Sequence, residues 1–240
     1  MVKVQLAGIP VQMNNRFPEL EFLCRDYLTE EEPVITLSAT QKEIEAERAM
    51  QDDIFTDGYL ETICLYRKLA LKMLQHGVFL MHASVIEVDG EGYAFLAHSG
   101  TGKTTQTRLW LKYFGNRAHV INGDKPLIRV VPEAGTWKFV AYGTPWCGKE
   151  GMGCNASVPL KALFLLERSP EPSCEPASQE YSVDKLFHQL LMPQQPDQMM
   201  MLLDIADKLV STVPVYILRC NMELASVEAA CNAAHCCSRS

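Results

Sequence analysis

The sequence predicts an α/β protein. Strand-like and helix-like segments alternate along the chain, an antiparallel hairpin lies near its middle, and a glycine-rich turn joins the second hairpin strand to a helix. The 240 residues are 48% hydrophobic and 21% charged, which suits one large domain or a main domain with a small appendage and excludes wholesale disorder. Lys and Arg number 22 against 29 Asp and Glu, a formal net charge of −7. That balance argues against nucleic acid or an anionic membrane surface as the main partner, but it leaves room for a local phosphate pocket.

Taken in order, residues 2–6 and 34–37 read as short strands, with a helical stretch over 17–27 between them, and 40–50 reads as a charged helix. A longer helix over 59–75 carries Leu60, Ile63, Leu65, Leu69, Met73 and Leu74 as an apolar stripe near period 3.6, and His76-Gly77 stops it. Residues 79–88 read as a strand, Asp89-Gly90-Glu91-Gly92 as a turn and 93–97 as the return strand. A helix follows to Phe114 and stops at Gly115. Further strands fall at 119–121, 127–131, 137–141 and 162–166. Residues 169–181, rich in Pro, Ser and Glu, read as a surface loop. Helices at 183–191 and 198–209, a strand at 213–219 and a helix at 223–234 complete the pattern.

The nine cysteines are odd in number and scattered, with no CxxC, so reduced thiols in a cytoplasmic protein are expected. Cys231, His235, Cys236 and Cys237 form the one cluster with metal-ligand types, yet adjacent cysteines suit tetrahedral chelation poorly and a second half-site is missing. No targeting segment or membrane span is readable, which points to a soluble intracellular protein.

The strongest chemical signal is Ala97-His98-Ser99-Gly100-Thr101-Gly102-Lys103-Thr104. It matches the GxxxxGK[ST] phosphate loop except that Ala97 replaces the first glycine. Strand, glycine turn and helix start are the parts that turn backbone N–H groups onto a phosphate, with the helix dipole behind them. Ser99 to Thr105 are therefore expected to bind a nucleotide, Lys103 to reach its β- and γ-phosphates and the Thr104 hydroxyl to ligate Mg²⁺. NKxD is absent and the only DxxG string precedes the loop, which argues against a GTPase. Phosphoryl transfer needs a carboxylate beyond the loop, and Val120-Ile121-Asn122-Gly123-Asp124-Lys125-Pro126 places Asp124 at a strand end. An Asx turn before Pro126 would explain the same residues, and both readings can hold.

Ser99-Gly100-Thr101-Gly102-Lys103-Thr104-Thr105 resembles the phosphate loop of ATP-dependent phosphoenolpyruvate carboxykinases. The wider order of Met81-His82-Ala83, hairpin, loop, helix, Asn122-Gly123-Asp124 and Ile128-Arg129 is similar to the catalytic domain of HPr kinase/phosphorylase. The resemblance covers residues 79–129 and extends toward Arg168. It implies a phosphoenolpyruvate carboxykinase/HPr kinase-like P-loop core, with a mixed sheet, antiparallel strands around the loop and flanking helices. It also implies ATP- and Mg²⁺-dependent phosphoryl transfer, with Asp124 matching one of the family's paired aspartates and His82 its active-site histidine. Two departures matter. Gly123 stands where the HPr kinases have a second acidic residue, and their HPr-docking segment is not recognisable.

The expectation is a cytoplasmic kinase acting on a Ser/Thr hydroxyl of a protein or peptide. A small-molecule kinase or carboxykinase-like enzyme is the alternative, as is a non-catalytic nucleotide-binding sensor or scaffold. Catalysis would fall to Lys103, Asp124 and His82, with Mg²⁺ on Thr104 and Asp124. The loop 143–153 holds four glycines, Trp146 and Lys149. It reads either as a mobile cover whose Lys149 meets phosphate or as an ordinary connection, and Asn155 beyond it is a lesser substrate candidate. Residues 1–77 would form an α+β extension and 78–240 the catalytic domain, with neither a nucleic-acid nor a membrane partner and homo-oligomer formation left open.

Overall fold

A computed structural model describes residues 1–50 and 54–236. The chain folds as a mixed α/β structure. Strands β1 (Val2–Leu6) and β2 (Ile9–Asn14) form an antiparallel hairpin whose alternate residues are buried, turning at Ala7-Gly8 with φ of 50° and 72°. Positive φ at both turn residues is what matches a two-residue turn to the twist of the strands. Helix α1 (Glu19–Leu23) and a single 3₁₀ turn lead to β3 (Ile35–Ser38), which joins β2 in parallel. Helix α2 (Gln41–Arg48) begins with a reciprocal capping box between Thr40 and Glu43, and α3 (Asp57–Met73) is capped by Thr56. Gly77, at φ 68°, ends the 3₁₀ turn that follows α3.

Strand β4 (Val78–Leu80) is separate from β5 (Ala83–Val88), which turns at Asp89-Gly90 into β6 (Glu91–Leu96). The single strand expected over 79–88 is thus two. At the break Met81 bridges Leu190 and the His82 N–H donates to Gln189 O at 2.7 Å, so the chain leaves one strand partner for another there. The glycine-rich segment 97–102 runs from β6 into α4 (Lys103–Phe114) and β7 (Ala118–Asn122), which pairs antiparallel with β5. Then follow β8 (Leu127–Glu133), β9 (Thr136–Tyr142), β10 (Ser157–Arg168), β11 (Ser173–Pro176), α5 (Gln179–Phe187), α6 (Pro196–Thr212), β12 (Val215–Cys220) and α7 (Ala225–Ala234). Strands β2 and β11 were not legible. Pro10 sits at the start of one and Pro176 at the end of the other, positions where a strand tolerates a residue without an N–H.

The larger sheet has nine strands in the order β4-β8-β9-β10-β6-β5-β7, with β12 on β10 and β11 on β12. Strand β10 spans both halves: Ser157–Pro159 pair antiparallel with β9, while later residues run parallel to β6 and β12. The carboxyl ends of β6, β10 and β12 therefore emerge on one edge, the position at which α/β sheets bind ligands. Both faces of the hairpin are covered. Val85, Ala94 and Leu96 pack with α5 and α6, while Ile86, Val88, Tyr93 and Phe95 pack with Trp110 and Phe114 of α4 and with α7. A sheet buried on both faces carries apolar residues continuously, which is why β6 reads as an unbroken run. A third cluster joins the N-terminal sheet and α3 to Val78, Leu127 and Trp146. Among the described residues no helix is long and apolar enough to cross a membrane.

Candidate functional site

The segment after β6 forms a glycine-dependent turn at the carboxyl edge of the sheet. Gly100 has φ 77° and Gly102, the residue before α4, has φ 135°; both are left-handed values that exclude side chains at little cost only for glycine. Helix α4 starts with no side-chain cap, so its first amides are available to an anion. Thr101 N–H donates to His98 O at 3.2 Å, closing the turn. Arg168, at the end of β10, donates through Nε to Thr101 O at 3.2 Å and through Nη2 to Gly100 O. Ser99 and Gly100 are exposed, whereas Thr101, Gly102, Thr104 and Thr105 are half-buried.

Lys103 is 9% exposed and its Nζ donates to Ala97 O at 2.8 Å, across the mouth of the loop. Burial lowers its pKa, Asp124 opposes that shift and Lys125 reinforces it, so all three charges lie within electrostatic reach of one another. Ala97 O is also the acceptor for Gln189. With its amide turned nitrogen-first, this buried side chain donates to Ala97 O and His82 O at 3.1 Å each. His82 Nε2 lies 3.1 Å from Asp124 Oδ1, and Lys125 Nζ binds Asp124 Oδ2. A continuous polar chain thus runs Lys103–Ala97–Gln189–His82–Asp124–Lys125. Burial raises the Asp124 pKa, but the His82 hydrogen bond and the Lys125 ammonium outweigh it and hold the carboxyl far below its ordinary value.

Asp124 is positioned by its neighbours in sequence. Asn122 Oδ1 accepts from the N–H groups of Asp124 and Lys125 at 2.9 and 2.7 Å, an Asx turn, and its Nδ2 donates to Thr144 Oγ1 at 2.9 Å. Thr144 Oγ1 and Tyr66 OH in turn donate to Lys125 O, at 2.9 and 2.6 Å. Tyr66, from α3, stacks on Trp146 at 4.0 Å and 8°. The loop 143–153 lies directly over this turn. A Cβ on Gly123 would come to 2.9 Å from Cys147 O and 3.0 Å from Met152 O, and one on Gly148 to 3.0 Å from Asp124 Cβ.

The structure therefore brings Lys103, His82 and Asp124 into one network with the glycine-rich segment before α4. Lys149 is exposed on the covering loop, next to Glu150, which pairs with Arg108 of α4. Asn155 points elsewhere: its Nδ2 donates to Asp26 O at 2.8 Å and fastens the N-terminal segment. Gln189, Arg168 and Lys125 contact these candidate residues and are not singled out by the sequence. For Lys125 the signal was adjacency to Asp124; Gln189 and Arg168 lie in segments with no motif. The described residues contain no group of three or more His, Cys, Asp or Glu side chains able to hold a metal ion, and no disulfide joins the described cysteines. His235 caps α7 in a left-handed conformation, and Cys237 of the C-terminal cluster lies outside the described residues.

A family model described as SynChlorMet cassette protein ScmC matches residues 56–226. No curated protein matches the chain. Among solved structures, the HPr(Ser) kinase/phosphatase from Coxiella burnetii overlaps 64% of this chain and 94% of that chain, with 9% identity and a TM-score of 0.33.

Proposed function

The chain belongs to the SynChlorMet cassette protein ScmC family, and from its glycine turn, Lys103 and Asp124 we propose that it is a cytoplasmic ATP- and Mg²⁺-dependent phosphotransferase with an HPr kinase-like P-loop core, acting on a Ser/Thr hydroxyl of a protein or peptide. One observation carries this reading: a nearly buried lysine at the start of a helix, behind a glycine turn, joined through three intervening polar partners to an ionised aspartate. The loop amides and the α4 dipole would cradle the triphosphate. Lys103 would exchange Ala97 O for the β- and γ-phosphate oxygens.

The donor set fits Mg²⁺, since the Thr104 hydroxyl and the Asp124 carboxylate are hard oxygen ligands and phosphates and water complete such a shell. Bound there, the ion would neutralise charge on the transferring phosphoryl group. A carboxyl held so far below neutrality is a weak proton acceptor, so Asp124 serves to orient the acceptor hydroxyl and takes its proton only late, as suits a loose transition state. His82, on Asp124 Oδ1, fixes the orientation of that carboxylate.

The test is γ-phosphate transfer from labelled MgATP to polypeptide and small hydroxyl acceptors, with Lys103→Ala alongside. Transfer by the wild type and none by the variant is expected; turnover surviving intact in Lys103→Ala contradicts the assignment. Label on a metabolite alone would favour a small-molecule kinase. A second reading, a nucleotide sensor without chemistry, is favoured by the closed space at Gly123, which bars a second carboxylate. MgATP binding with no transfer to any acceptor would decide for it.

A further inference from the structure

Beside Gly100–Gly102 a cavity of about 550 Å³ opens at the carboxyl ends of β10 and β12. It is lined by the start of α4, by Arg168 to Pro170 and by Cys220 to Met222. At its inner end sits Gln106, 1% exposed. Its Nε2 donates to Asn221 O at 3.0 Å, which fixes which way the amide faces and leaves Oε1 buried with no partner. An unsatisfied buried acceptor is costly, and a native one calls for a ligand or water donor.

The Asn221 donors beside it are already committed. Asn221 N–H is bonded to Ser226 Oγ, and Asn221 Nδ2 to Pro170 O. Burial pushes the Cys220 thiol up to about 11, while the Gln106 amide and the Arg168 charge act in the opposite direction. Met222, 81% exposed although a large apolar side chain, and Pro170 both line the cavity. The cavity thus offers the apolar surfaces of Met222 and Pro170 and one unpartnered acceptor, Gln106 Oε1, with the Asn221 donors occupied. It adjoins Gly100–Gly102, where the phosphates of the same ligand would begin.

We propose that this cavity is a nucleobase subsite for adenine, in which Gln106 Oε1 accepts a hydrogen bond from the exocyclic amine and Met222 and Pro170 flank the ring. Thioether contacts with an aromatic ring are favourable, and a thioether adapts to ring position. A base edge carrying a carbonyl in place of the amine would set oxygen against oxygen at Gln106. The inference rests on the ATP reading of the phosphate loop, and extends it from phosphate capture to base selection.

Two probes separate the two claims. Adenosine reads the base cavity without phosphate, and inorganic tripolyphosphate reads the phosphate loop without a base; both are followed by ligand-observed NMR and calorimetric titration on the full chain. Adenosine is expected to bind about tenfold more tightly than purine riboside, which lacks the amine, the ratio that one hydrogen bond supports. Gln106→Leu should erase that ratio. Met222→Ala, on an exposed side chain whose loss leaves folding intact, should weaken both nucleosides several-fold. Tripolyphosphate binding should be unchanged in both variants and lost in Lys103→Ala. Absent adenosine binding, purine riboside or guanosine binding as tightly as adenosine, or indifference to both cavity variants would overturn the subsite, even where tripolyphosphate still binds. Adenosine binding without tripolyphosphate binding would leave the subsite standing and remove the phosphate-loop reading.

Discussion

At Gly123 a hydrogen in place of a side chain brings the carbonyl oxygens of Cys147 and Met152 against the backbone that carries Asp124. Both obstacles are main-chain atoms, so they cannot swing aside as the end of a lysine would. Gly123→Ala should therefore cost about 1–3 kcal/mol by overpacking, read by chemical denaturation. Gly123→Asp should cost more, because its carboxylate would meet two further acceptors, and it should gain no transfer activity. A Gly123→Asp protein that folds as well as wild type and transfers phosphate faster would contradict this view of the covering loop. The same residue shows what the sequence conceals. Its letter announces a missing acid, but only the three-dimensional path of residues 143–153 shows that no acid fits. Gln189 is hidden for a like reason, as its partners Ala97 and His82 lie some 90 to 107 positions earlier in the chain.

Among elements, α2 depends on a charged cap. The Glu43 carboxyl is held at about 2, first by the hydrogen bond from Lys68 Nζ at 2.6 Å and then by the Thr40 N–H at 2.7 Å. Since this value lies below the ordinary 4.5, the folded state binds fewer protons; the stabilisation is complete above pH about 5 and lost as pH falls from 4.5 toward 2. Glu43→Gln should melt lower than wild type at pH 7, with the two melting temperatures converging near pH 2; a constant gap across that range would refute the assignment. Element legibility followed local chemistry. The β5–β6 hairpin, α3 and α4 carry their own turn residues, stripes and stops, so they read correctly from the sequence. The break at Met81-His82 is imposed by a bridge to Leu190, and β11 exists through pairing with β12; neither is encoded locally.

For the molecule as a whole, the N-terminal segment is built into the candidate site. Tyr66 of α3 bonds Lys125 O and stacks on Trp146, so the α+β segment supports the turn that carries Asp124. The family match begins at residue 56 and includes that helix. Tyr66→Phe should lower stability by about 1 kcal/mol and reduce kcat more than it raises KM, as steady-state kinetics would show; unchanged kcat with the stability loss would confine Tyr66 to packing. The central claim is that the turn before α4 captures a triphosphate through Lys103. Calorimetric titration of MgATP into wild type and Lys103→Ala tests it most directly. One site per chain in the wild type, weakened at least about a hundredfold in the variant, is the predicted result, corresponding to about 2.7 kcal/mol. Equal affinity in the two proteins, or no binding in the wild type, would contradict it.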